Sequence, residues 1–178
     1  LKAVHGVQKV KNVFISSGLR LELLRKTPKL LRVLLKNHTP GALNIAPEHT
    51  ENQVLRLMHK ERHGELLKFI SECSKIKKEE KIQVILNPYI ISAHPGCTLK
   101  NTEDMANKLK KLKLKIRGFQ DFTPTPGTLS TAMYFTEKDA STGEKIHVPK
   151  GKQRTRQRRI LEKVIMQVRK RGVSKKRR

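Results

Sequence analysis

FQDFTPTPGTLS, from Phe119 to Ser130, runs a short apolar segment straight into a loop of threonines, two prolines and a glycine. Thr125-Pro126-Gly127-Thr128 has a type II turn signature: proline presets φ at one central position and glycine takes the positive φ at the next. The loop is therefore stiff, and the hydroxyls of Thr123, Thr125, Thr128 and Ser130 have defined directions, with Asp121 just before them. A plain surface connection needs none of this. The loop is expected to hold a ligand at the end of a strand.

Upstream, the same strand-to-loop pattern recurs. Val13-Phe14-Ile15 ends in Ser16-Ser17-Gly18, which reads as a buried strand and its loop. A helical stretch starts at Leu19, and Thr27-Pro28 reads as a cap with proline at the first helical position. Ala42 to Ala46 is a second strand, ending in Pro47-Glu48-His49-Thr50, with Thr50 expected to cap a short helix. A longer helix after Gly64 lines up Leu66, Ile70, Cys73 and Ile76, which makes Cys73 a core residue. Ile82 to Ile91 is a third apolar run, ending in Ser92-Ala93-His94-Pro95-Gly96-Cys97, and Thr102 is expected to cap the helix after it. Thr131 to Phe135 reads as extended, and Asp139 to Pro149 as a polar connection. A last amphipathic helix is expected from about Thr155 to Arg171, with Ile160, Leu161, Val164, Ile165 and Val168 as its stripe.

Strands alternating with helices at this spacing argue a parallel sheet with right-handed crossovers. Four strands alone would leave both faces and an edge uncovered, so the fold class is α/β, as a partial (β/α) barrel followed by a basic helical tail. The expected divisions are barrel over 1–136, polar connection over 137–153, and basic helix and tail over 154–178. The chain begins at Leu1, inside what reads as a connection between elements, as a piece of a longer protein would.

Charge and composition bound the partners. The formal charge of +25 is uneven: residues 150–178 hold 14 Lys and Arg against one acid, Glu162. Such a tail attracts phosphate polyanions by counterion release, so Lys150 to Arg178 is a candidate nucleic-acid contact; a solvated extension is the alternative. Two cysteines make no disulfide framework and fit a reducing, cytoplasmic setting. No apolar run approaches the roughly 20 residues of a membrane span.

The chemistry-bearing residues gather where apolar strands end, the face on which parallel sheets and barrels bind ligands. Glu48 and His49 are adjacent, so in an extended segment only one of them faces a given pocket. His94 and Cys97 have an H-x-x-C spacing, but no second metal-binding pair lies elsewhere. The G-x-S-x-G, G-x-G-x-x-G and G-x-x-x-x-G-K-[ST] patterns are absent.

SSGLR (16–20), APEHT (46–50), NPYIISAHPGCT (87–98) and QDFTPTPGTLSTAMYFT (120–136) together resemble the C-terminal half of the radical SAM core in YgiQ-like proteins. The resemblance covers roughly residues 5–150 in matching order. It implies a partial (β/α) barrel whose early loop holds three cysteines spaced C-x3-C-x2-C. Those cysteines bind a [4Fe–4S] cluster that reduces S-adenosylmethionine to a 5′-deoxyadenosyl radical. That cysteine loop is missing here, so the missing N-terminal part of the same protein would be the partner that supplies it. By the same resemblance Ser16, Ser17, Arg20, Glu48, Ser92, His94, Pro95 and Gly96 are cofactor-side candidates. Arg20 would meet the methionyl carboxylate, Glu48 the ribose hydroxyls, and the 90–96 backbone the adenine. Asp121, Thr123, Thr125 and Thr128 fall on the substrate side.

The rival expectation is a basic nucleic-acid-binding module on a non-catalytic barrel remnant, supported by the tail and by the lysine-rich helix 103–115. The chain has only seven Phe and Tyr and no Trp, which leaves few aromatic platforms for stacking bases.

Overall fold

The computed structural model describes residues 2–112, 114 and 116–174, with the side chains of 2, 5 and 167–174 set aside. The side chain of Val168 in the expected stripe, Lys113 and Lys115 of the lysine-rich helix, and the last four residues of the basic tail lie outside what is described.

The chain is mixed α/β, with a three-stranded parallel sheet in the order β1 (Ala42–Glu48), β2 (Ile85–Ser92), β3 (Gln120–Asp121). Before β1 come α1 (Lys2–His5), α2 (Leu21–Lys26) and α3 (Pro28–Asn37); α4 (Asn52–Leu57) and α5 (His63–Glu79) join β1 to β2. The helix α6 (Leu99–Lys111) joins β2 to β3, and α7 (Leu129–Thr136) and α8 (Gly151–Ser174) follow. Strands added in one direction without reversal carry their right-handed crossovers on one face. Burial agrees with this. Leu43, Ile45 and Leu86 pack with Leu31, Leu34 and Leu35 of α3 and with Leu66, Phe69, Cys73 and Ile76 of α5. Ile90 packs with Met105, Ala106 and Leu109 of α6 and with Leu161 and Val164 of α8.

Among the described residues no helix covers the other sheet face. Asn44 and Asn87 lie on it, joined by an amide hydrogen bond of 2.8 Å, and Ile85 and Tyr89 are 37% and 42% exposed.

Several expectations change. Val13 to Ile15 forms no strand; a single parallel bridge to β1 comes instead from Leu19, expected to begin a helix that starts only at Leu21. Phe14 is half exposed, and the side chain of Asn44 donates to the Ser16 carbonyl (2.6 Å), standing in for a ladder contact. A run of three residues has too few backbone pairs to hold a ladder against that competition. Thr50 and Thr102 are not caps. Glu51 precedes α4, and Thr98 caps α6 in a reciprocal capping box with Asn101. Thr27 precedes Pro28 as expected, but its hydroxyl turns back to the Leu23 carbonyl (3.0 Å) rather than capping. Thr131 to Phe135 is helical, not extended, because Thr128 caps α7 by accepting from the Thr131 N–H. That local bond outweighs the strand preference of threonine and aromatic side chains.

Candidate functional site

Three consecutive strand ends deliver their residues to one cavity of about 280 Å³. Glu48 comes from β1, His94 from the loop after β2, and Asp121 from β3; Thr123, Thr125, Thr128 and Ser130 close it from the loop first singled out in the sequence.

Glu48 is placed by a backbone irregularity. The β1–β2 register runs evenly from Ala42↔Ile85 to Ile45↔Pro88, then skips to Glu48↔Ile90, so β1 carries one extra residue. Pro47, with no N–H to donate, sits inside that bulge. The His49 N–H bonds the Pro47 carbonyl at 2.7 Å, and Glu48 between them has φ +62°. A γ-turn with positive φ at a non-glycine residue is strained and persists only where its surroundings enforce it. Lys60 does so, with its ammonium 3.0 Å from Glu48 Oε1 and 3.3 Å from the Ala46 carbonyl. The turn sends Glu48 to the cavity and His49 inward.

His94 is 3% exposed. Its Nδ1 lies 2.7 Å from the Pro95 carbonyl and its Nε2 2.8 Å from Ser130 Oγ. A carbonyl only accepts, so Nδ1 holds the proton. Burial pulls the imidazole down to about 4, against the Pro95 bond. The neutral ring therefore accepts at Nε2 from the Ser130 hydroxyl, whose lone pairs stay available to a donor in the cavity. Phe122 stands edge-on to the ring at 5.2 Å.

The loop carrying His94 is clamped from α8. Gln157 is 1% exposed; its Oε1 accepts from the Ala93 N–H (3.2 Å) and its Nε2 donates to the Cys97 carbonyl (2.8 Å). Gly96 within that loop has φ +84°, and a Cβ there would lie 2.0 Å from Leu57 Cδ1. Gly96→Ala is expected to cost about 1 to 3 kcal/mol, read as a lower denaturant midpoint. An unchanged midpoint would show that Leu57 and the loop absorb the methyl group.

Asp121 is shared. Ser92, fully buried, donates to Oδ1; the guanidinium groups of Arg158 and Arg154 lie 3.3 and 3.9 Å from Oδ2. The threonine loop holds itself. The Thr128 and Thr131 hydroxyls donate to the Thr125 carbonyl (3.0 and 2.8 Å), the Thr125 N–H donates to Thr131 Oγ1 (2.7 Å), and Gly127 takes φ +77°. Part of the hydroxyl set expected to meet a ligand thus fixes the loop itself.

Behind the cavity, His49 is 1% exposed and accepts at Nδ1 from the Glu51 N–H (3.0 Å), so its Nε2–H faces Cys97 Sγ at 3.4 Å. Burial, with the nearby His94 and Lys108, pulls His49 down to about 3, and burial pushes the Cys97 thiol up to about 11. This is a neutral thiol on a neutral imidazole, not an activated thiolate.

Of the cofactor-side candidates, the structure puts Glu48 and His94 in the cavity wall. Ser92, Pro95 and Gly96 lie behind it, as the partner of Asp121, the acceptor for His94 and a tight turn. Ser16 and Ser17 are exposed outside it, and Arg20 is on the surface paired with Glu22. All four substrate-side candidates line the same cavity as Glu48 and His94 rather than a neighbouring one. Sequence reasoning missed Gln157, which looked like one polar residue among the bases of a tail. It noted the Ser130 hydroxyl without its histidine, 36 residues away.

No family model matches the chain. It is similar to UPF0313 proteins: 39% identical over 165 residues to one from Geobacter sulfurreducens, 40% over 161 residues to one from Methanocella arvoryzae, and 37% over 170 residues to one from Fusobacterium nucleatum. These matches cover 90 to 92% of this chain but 27 to 30% of those proteins, so the chain spans little more than a quarter of their length.

Proposed function

We propose that the chain forms the later strands of a radical S-adenosylmethionine barrel of the YgiQ-like kind, and that the whole protein uses a [4Fe–4S] cluster to cleave S-adenosylmethionine to a 5′-deoxyadenosyl radical. The observation that carries this is the convergence of Glu48, His94 and Asp121, from three successive parallel strand ends, on one cavity. An unreversed strand order, with one face free of helices among the described residues, supports it, because a barrel keeps that face for its interior.

The cysteines present do not fit the cluster. Cys73 is buried in the core with its thiol pushed by burial up to about 12, and Cys97 is held by His49 and Thr102. The cluster ligands therefore belong to a segment outside this chain, the partner this reading requires. The cavity wall fits S-adenosylmethionine in part. Lys60 holds one oxygen of Glu48, and Oε2 has no other partner among the described residues, so it can accept from a ribose diol. Ser130 can accept from a ligand N–H or O–H, and Asp121 adds negative charge on the wall. Arg20 does not fit as the carboxylate clamp, since it lies outside the cavity.

The test uses the whole protein, reconstituted without oxygen. Glu48→Ala removes an acceptor that bonds through a charge, worth about 1.5 to 3 kcal/mol, so S-adenosylmethionine affinity should fall by about 10- to 100-fold in titration calorimetry. Unchanged affinity removes Glu48 from the site. Reduction of the wild-type protein with no 5′-deoxyadenosine formed would overturn the reading itself.

A further inference from the structure

Helix α8 has two unlike faces. Gln157, Leu161 and Val164 point into the protein. Lys152, Arg156, Arg159 and Lys163 follow one another at steps of four, three and four residues, which puts them on one side of a helix, and all four are exposed. Among the described residues none of the four makes an ion pair. Three other cations of this region do: Arg154 and Arg158 face Asp121, Arg158 also pairs with Glu162, and Lys150 pairs with Glu137. On α6, Lys100 pairs with Asp104 and Lys108 with Glu51, so that lysine-rich helix is partly neutralised. The α8 stripe is uncompensated positive charge along about 16 Å of helix.

We propose that this stripe is a binding surface for the phosphate backbone of nucleic acid. Four unpaired cations in a row release condensed counterions when they meet phosphates, and this drives association with little sequence preference. A membrane surface is the other polyanion that such a helix could meet. There the helix would have to lay an apolar face into the headgroups, and the apolar face of α8 is already buried against Ile90, Met105 and Leu109. The inference does not depend on the radical reading, since it concerns the face of α8 turned away from the cavity.

The test measures binding of the full chain to a fluorescent single-stranded RNA of about 20 nucleotides, by anisotropy over a salt series. A variant with all four stripe residues changed to Ala is compared with a control that replaces the exposed Lys26, Lys29, Lys78 and Lys110 by Ala, at equal net charge. For single strands each neutralised phosphate contributes about −0.7 to the slope of log K against log salt, so the stripe variant should lose about 3 units of slope. Its affinity at low salt should fall at least about tenfold, while the control keeps the wild-type slope. Equal losses in both variants would reduce the effect to net charge and overturn the proposal. So would tight binding to phosphatidylserine vesicles with none to RNA.

Discussion

Gln157→Leu is expected to lower the stability of the whole chain by about 2 to 6 kcal/mol, with a proportional drop in denaturant midpoint. Leucine nearly matches the glutamine in volume, so packing against the loop is kept and the loss isolates the amide. Two buried backbone groups lose their partners at once: the Ala93 N–H and the Cys97 carbonyl. Each unsatisfied buried group costs about 1 to 3 kcal/mol. Ala93 also sits at φ +56°, so the loop that loses its clamp is one that needs holding. Gln157→Glu keeps the acceptor for Ala93 but buries a carboxylate against the Cys97 carbonyl, and should be no more stable than leucine at pH 7. A leucine variant as stable as wild type would show that the loop holds its shape without α8.

Acidification from pH 7 to pH 5 is expected to remove about 4 kcal/mol of stability. His49 and His94 are buried neutral, with folded values of about 3 and about 4 against 6.5 for a free imidazole. Below pH 6.5 the unfolded chain takes up protons that the folded one refuses. Stability that is complete above 6.5 is therefore lost as pH falls, until it reaches the folded values. Each histidine contributes about 1.4 kcal/mol per pH unit in that window, or about 2 kcal/mol by pH 5. His63, also lowered chiefly by burial, acts in the same direction. Glu80, Asp139 and Glu137 are held below the carboxylate range by their partners, and they titrate at lower pH. Urea midpoints at pH 7, 6 and 5 measure the slope, and His94→Gln should roughly halve it. A flat profile over those two units would contradict the buried neutral imidazoles.

How much of this was legible depended on sequence distance. The alternation of apolar runs with helical stripes located β1, β2, α5 and α6, because those signals are local and periodic. Gly127 announced its positive φ, and Cys73 its place in the core, for the same reason. What failed was competition between nearby options. Thr98 and Thr102 are both plausible caps four residues apart, and only the reciprocal bond with Asn101 selects the first. The threonines and aromatics of Thr131 to Phe135 favour a strand by composition, and one hydroxyl at Thr128 reverses that. The site residues taken from strand ends were half legible. Strand-end logic found Glu48, His94 and Asp121 but could not separate cavity wall from support. The hydroxyl of Ser92 turns to Asp121, and the threonines bond one another. Gln157 was illegible, since its partners are 60 and 64 residues away and its neighbours in sequence are bases.

The extra residue in β1 acts on the sheet as a frameshift acts on a message. Up to Ile45, partners across β1 and β2 share a side: Leu43 with Leu86, Ile45 with Pro88, all turned to the core. Past the insertion the parity is reversed. Glu48 is matched with Ile90, a core side chain, so the ladder alone would aim a carboxylate into the apolar layer. One left-handed residue corrects the frame at the last position, and the carboxylate emerges on the cavity side. The direction of that charge is thus set by backbone arithmetic before any rotamer, and Lys60 holds the one residue that performs it.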